Sequence, residues 1–353
     1  MPSSWQCSHR AQRIPSPPDD PQRASAGELT PQTASLWHRV LVMRRARGLA
    51  LLAVAVLLAG CGRLDELDYQ PLTTPDEWCR LRPCVGFGGT VLNEPTSSLL
   101  VFFLAALWVG IGASFLVARY GQRSRAWLGV SLILGGIAAG LAGVSYQAFS
   151  YLLKCEGREY CALTNGFEVG YSVTQAASVS AMVLAVSYSC AQGTARRWCV
   201  GYATVNVVAY GAITAAGVVL PSAFLLSFEV LLLFALPGVI LTGVLSARHY
   251  MQHSDVMSWR IMWSVLLLVL VQVAYFAYLV FGITQALWDD GRGPYFSAND
   301  VLHVGMAAWL LYVYFALRNQ LADEGSDLFA VEPDEEEFTA QDGLADPTGG
   351  HGA

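Results

Sequence analysis

The chain reads as an all-α membrane protein, a bundle of seven transmembrane helices with its N-terminus outside and its C-terminus in the cytoplasm. Three observations carry that reading. Seven apolar runs are each long enough to cross a bilayer, which takes roughly 20 residues per helix. Arginines gather in alternate loops, and a short export signal ends at Leu58-Ala59-Gly60-Cys61. The composition agrees: mean hydropathy is +0.43 and only 14% of residues are charged, against about a quarter in soluble domains.

Residues 1–42 are rich in Pro, Ser, Gln and Arg and are expected to be disordered. Either the natural start lies downstream of them or the export signal has an unusually long basic region. From Met43 the pattern is that of a lipoprotein signal peptide over 43–60. Arg44, Arg45 and Arg47 form its basic region, Leu49 to Leu58 its apolar region, and small residues precede Cys61. Cleavage there would leave Cys61 lipidated at the head of an exported segment, 61–96. The competing reading is an ordinary cysteine after an uncleaved anchor.

The membrane domain, 97–320, holds seven expected spans near 97–118, 126–153, 168–190, 198–220, 223–247, 259–284 and 298–317. Arg119, Arg123 and Arg125 follow the first, Arg196 and Arg197 the third, and Arg248 and Arg260 bracket the loop after the fifth. Arg318 closes the seventh. The opposite loops carry Arg80, Arg82, Lys154, Arg158 and Arg292 interspersed with acids. The positive-inside rule puts the first set in the cytoplasm, and an export signal demands the same orientation. The expected location is a bacterial cytoplasmic membrane. Ten acids and no Lys or Arg follow Arg318, so the net charge of −6 belongs to the tail. That tail, 321–353, reads as solvated and disordered.

Cys79, Cys84, Cys155 and Cys161 all fall on the oxidising side and are disulfide candidates. Four cysteines allow three pairings, and spacing does not choose among them. A zinc site at the same four is the lesser reading. Cys190 and Cys199 flank an inner loop and are expected to stay reduced.

Ionisable groups inside a span are costly and point to function. Glu168 lies at the outer end of the third span, Glu229 in the outer third of the fifth, and Asp300 and His303 in the seventh. Glu94 precedes the first, Ser145 and Gln147 end the second, and Asn299 shares a helical face with His303. Together they make one outer polar layer, expected to be a pocket open to the exported side. The bland alternative is that each caps a helix or sits at headgroup level. Several classes fall away. The chain's only lysine is Lys154, in a loop, so no retinal Schiff base is available. His303 is the only histidine within a span, so paired axial haem ligands are missing. His249 and His253 have metal-ligand spacing but are expected in a solvated inner loop with Asp255. No nucleotide- or nucleic-acid-binding signature occurs in the inner loops; the expected partner is membrane lipid, and oligomeric state is open.

Glu77-Trp78-Cys79, Asn93-Glu94-Pro95 and Ser97-Ser98 resemble the approach to the first helix of alkaline ceramidases. Those enzymes group with the progestin and adipoQ receptors in the CREST superfamily of seven-span, often zinc-dependent lipid hydrolases. Gly143-Val144-Ser145 with Phe149, and Asn299 to His303, extend the likeness over most of residues 76–318. The resemblance implies a ceramidase-like bundle, a divalent metal (zinc or a harder ion), and Ser145, His303 and Glu168 in catalytic positions. His303, Glu168 and Glu229 would be the metal ligands, and Glu94, Gln147, Glu229, Asn299 and Asp300 would line the pocket. The departures are specific. Phe149 stands where the second helix should carry a His ligand, and Asn299 replaces the first of two in the last helix. Arg80 falls where an acid of the family's calcium-binding stretch is expected. A catalytic zinc usually has three protein ligands, so lipid or small-ligand binding without intact zinc chemistry is the leading expectation. A metal-dependent hydrolase of a lipid amide or ester is the alternative. A Ser145–His303 dyad without metal is a further variant. A small-solute transporter is third, suggested by mid-membrane Asn206 and Gln272 and by Pro237-Gly238.

Overall fold

The computed structural model describes residues 62–291 and 296–325. The expected leader, signal sequence and lipidation site Cys61, Arg292, and the acidic tail beyond Gly325 lie outside them. Among the described residues, seven helices are long and apolar enough to cross a membrane. In chain order the elements are α1 (Pro75–Leu81), β1 (Cys84–Phe87), β2 (Thr90–Asn93), α2 (Pro95–Val117), α3 (Arg123–Ala142), α4 (Ser150–Lys154) and α5 (Gly166–Cys190). They continue with α6 (Gly193–Val219), α7 (Phe228–His253), α8 (Val256–Val280), α9 (Ile283–Asp289) and α10 (Ala298–Leu317).

Helix starts follow local chemistry. Pro95 opens α2, where its missing N–H costs nothing. Asn165, Ser227 and Asp255 accept hydrogen bonds from the first free amides of α5, α7 and α8. Ser297 and Asp300 form a reciprocal capping box on α10. These caps shift two expected boundaries. The fifth span begins at Phe228, after the Ser227 cap, five residues later than its apolar run suggests. It also continues to His253, so His249 and His253 stand on the last turns of α7 and not in a loop. The second span is interrupted: a π-helical turn, Gly143–Ala148, follows α3, and Phe149 separates it from α4.

Small residues set the closest helix contacts. A Cβ on Gly112 or on Gly129 would meet the other residue's carbonyl oxygen at 2.8 Å, so α2 and α3 touch backbone to backbone. Between α3 and α5, Ser131 and Ser178 each donate a hydroxyl to the other's carbonyl at 2.8 Å. A Cβ on Gly238 would lie 2.8 Å from Val179, so the Pro237-Gly238 step lets α7 approach α5. Asn206 of α6 donates to Ser180 of α5 at 3.0 Å. The main apolar core joins α2, α3, α5, α8 and α10 through Trp108, Phe115, Leu132, Val186, Leu310 and Val313.

The segment before α2 folds back over one end of the bundle. β1 and β2 pair antiparallel with Cys84 opposite Asn93. Tyr69 N–H donates to the Cys161 carbonyl, and Cys161 N–H to that of Thr73. Cys79 is bonded to Cys84 and Cys155 to Cys161, which resolves the open pairing. Buried Trp78 packs on the second disulfide and carries the Arg82 guanidinium 4.0 Å above its ring. At the opposite end of the bundle, Leu321 and Ala322 are buried beneath α8, and the Asp323 carboxylate accepts from the first amides of α3, Arg123 and Ser124.

Candidate functional site

The polar layer expected from sequence separates into two clusters at the disulfide-bearing end. The first gathers on the π turn and the start of α5. Ser145 donates to Glu168 Oε1 at 2.8 Å and accepts from Asn165 Nδ2 at 2.7 Å. Lys154 Nζ lies 2.5 Å from the same Glu168 oxygen and donates to the Leu163 carbonyl at 3.0 Å. Both charged side chains are buried, and the ammonium sits 5.1 Å from the Tyr146 ring centroid. Burial pulls the Lys154 ammonium below its ordinary value, opposed by the Glu168 carboxylate. A cavity of about 20 Å³ beside Glu168, lined by Tyr146, Thr164, Tyr171 and Ser227 among others, has room for about one water.

The second cluster joins α2 to α10. Asn299 Nδ2 donates to Glu94 Oε2 at 3.1 Å. Ser97 Oγ donates to Asp300 Oδ1 at 2.8 Å, and Asp300 Oδ2 accepts from Ser297 N at 2.6 Å. Asp300 is thus fully buried yet satisfied as a cap, the bland role foreseen for it. Glu94 is different. Its backbone takes φ 42, the left-handed region a glutamate rarely adopts, and such strain tends to be stored where function requires it. Burial raises the Glu94 carboxyl, while the Asn299 amide and the Arg82 charge pull against that rise. One turn along α10, His303 is buried and its Nδ1 has no hydrogen-bond partner among the described residues. Gln147 Oε1, in the π turn, is likewise buried without one.

The ligand set implied by the family resemblance does not assemble here. Among the described residues, His303, Glu168 and Glu229 bring no three ligand atoms close enough to share an ion. Glu229 is exposed in the first turn of α7, where the helix dipole favours a carboxylate. Ser227 caps the helix and Phe228 starts it, so Glu229 stands nearer the helix start than a span beginning at 223 suggested. Glu168 is already held by an ammonium and a hydroxyl. Phe149 has no ligating atom. The residues of these two clusters do not fit a catalytic zinc. Nor does a hydrogen bond join Ser145 to His303 among the described residues; the serine hydroxyl donates to the Glu168 carboxylate.

Sequence reasoning missed Lys154, Asn165, Ser97 and Ser297. A signal existed for the first: the chain's only lysine ends an apolar run in which an ammonium requires an acid. Asn165 and Ser297 were legible as helix caps, but their second contacts, to Ser145 and Ser97, depend on packing. No family model, curated protein or solved structure matches this chain.

Proposed function

We propose that this protein is a binding protein of the bacterial cytoplasmic membrane that takes a lipid headgroup or small polar ligand from the outer side, without zinc chemistry. Its N-terminus would face outward and its C-terminus the cytoplasm. Arg119, Arg123, Arg196, Arg248 and Arg318 on one end and the two disulfides on the other support that orientation. The ligand would lie between α2 and α10, against Glu94, Asn299 and His303. One observation carries the reading: a buried imidazole nitrogen without a partner among the described residues, one turn from the asparagine that holds a strained glutamate. Buried polar atoms in folded proteins are paired with few exceptions, and an orphan of this kind is accounted for by a guest that supplies the missing group. Descent from the CREST superfamily, with its ligands degenerate, accounts for the Asn299 and Phe149 departures and is proposed on the motifs alone.

A metal-dependent hydrolase has less support, because Glu168 is engaged by Lys154 and Ser145 and Glu229 stands exposed in the first turn of α7. A transporter has less again, since Asn206 is used by Ser180. The test is mass spectrometry of the detergent-purified protein for co-purifying lipid, comparing wild type with His303→Ala and Asn299→Ala. Retention of a defined lipid by the wild type and its loss from both variants supports binding. Turnover of a lipid amide that requires metal and disappears in His303→Ala would replace this reading with the hydrolase.

A further inference from the structure

At the arginine-bearing end, far from the polar layer in sequence and chemistry, three metal-ligating groups converge: His249 and His253 on the last turns of α7, and Glu324 on the short strap after α10. One ligand atom from each lies within 4.8 Å of the other two. Their surroundings leave the right atoms free. His249 Nδ1 is 3.0 Å from Asp255 Oδ1 and 2.7 Å from Ser258 Oγ, partners that orient the ring and accept from it in the tautomer that carries the proton on Nδ1. That leaves the Nε2 lone pair aimed at Glu324 Oε2, 2.7 Å away. In that tautomer the two acceptors can share a cation. His253 Nδ1 donates to the His249 carbonyl at 3.3 Å, which frees its own Nε2 as an acceptor. The two rings lie 4.4 Å apart.

The carboxylate is positioned as firmly as the rings. Glu324 N–H donates to the Tyr188 carbonyl at 2.9 Å, and Gln192 Nε2 holds Oε1 at 3.0 Å, leaving Oε2 for the histidines. A second partner orienting each ligand is the usual arrangement around bound metals. Beside the cluster is a cavity of about 260 Å³ lined by His249, Asp255, Gln320 and Glu324 among others, ample for metal-bound water.

We propose that His249, His253 and Glu324 form a site for a divalent transition metal ion such as zinc, with a fourth position open to that cavity. Two imidazoles and one carboxylate match zinc's preference for nitrogen and oxygen donors with one position left for water. Ligands at about 2.0 Å from a tetrahedral ion sit roughly 3.3 Å from one another, so small side-chain rotations suffice. The ion would tie the strap to α7. The site is independent of the ligand proposed between α2 and α10.

The experiment uses the full chain in detergent, stripped with chelator and titrated with zinc alone, binding being followed by calorimetry and by elemental analysis after desalting. Wild type should retain one zinc per chain. His253→Ala alters an exposed ring and should leave the fold intact while weakening zinc at least about tenfold, as should Glu324→Gln; orienting partners alone are worth about 10–100-fold. His303→Ala should bind zinc like wild type. Thermal melting without metal checks that each variant is folded. No zinc on the wild type, unchanged affinity in either His253→Ala or Glu324→Gln, or loss of zinc in His303→Ala would overturn the assignment.

Discussion

Lys154 Nζ lies 2.5 Å from Glu168 Oε1 with both side chains sealed from solvent, and Ser145 donates to the same oxygen. Removing one member of a buried pair strands the other charge and costs about 3–5 kcal/mol, whereas replacing both with apolar groups is often neutral. Lys154→Met alone should therefore lower stability by about that amount, and Lys154→Met with Glu168→Leu should recover most of it. Reversible unfolding in mixed micelles measures this. A loss in the double variant equal to the sum of those of Lys154→Met and Glu168→Leu would mean the pair is not coupled.

Glu94 carries a pH dependence whose sign follows from its environment. Burial raises its carboxyl above the ordinary 4.5 despite Asn299 and Arg82. The folded state thus prefers the protonated acid. Its stabilising contribution is complete below the ordinary value and is lost as pH rises through the raised one. Glu94→Gln should be the more stable protein at neutral pH and should lose the advantage at acid pH. Melting curves across that range, wild type minus variant, should slope downward with pH; a flat difference would show the carboxyl to be unshifted.

The α2–α3 crossing leaves no room for a side chain. Gly129→Val should destabilise by about 1–3 kcal/mol through overpacking, because its Cβ would press on the Gly112 carbonyl. Gly110, on α2 near Gly112 but with nothing within 4 Å of a Cβ, should accept Ala with little change. Thermal melts of both variants separate crowding from helix propensity.

The two disulfides should differ in weight. Cys155 and Cys161 are both buried against Trp78, while the Cys79–Cys84 pair lies at the edge of that packing. Replacing Cys155 and Cys161 by Ser should lower the melting temperature more than replacing Cys79 and Cys84. Peptide mapping without reductant should recover both crosslinks from protein made in cells.

Orientation has a direct readout. A fluorescent protein fused at the C-terminus should fold and fluoresce, and alkaline phosphatase at the same place should be inactive. The reverse pattern would put the acidic tail outside and invert the proposed pocket.

The apolar runs were legible because lipid leaves a helix no choice: every backbone N–H and C=O must be satisfied within the segment, so length and hydropathy alone reveal it. The cysteines' common side followed from the same alternation of loops. Boundaries and side-chain roles were harder. Glu229 stands closer to its helix start than the apolar run suggested, because hydropathy runs through Ala223–Leu226 whereas the backbone obeys the Ser227 cap. His249 was assigned to a loop because polar residues end an apolar run, though nothing in Arg248–His253 breaks a helix.

What the sequence determined by itself is therefore the set of spans, the sidedness of the charges and the short inventory of polar groups, all properties of single segments against a solvent. Partners belong to the tertiary structure. That Glu168 meets Lys154, that Asn299 meets Glu94, and that Glu324 reaches back to His249 each join residues from different elements. Such contacts depend on which helix faces pack together, and in lipid that is set by small residues and shape, not by hydrophobicity, which is nearly uniform around each span.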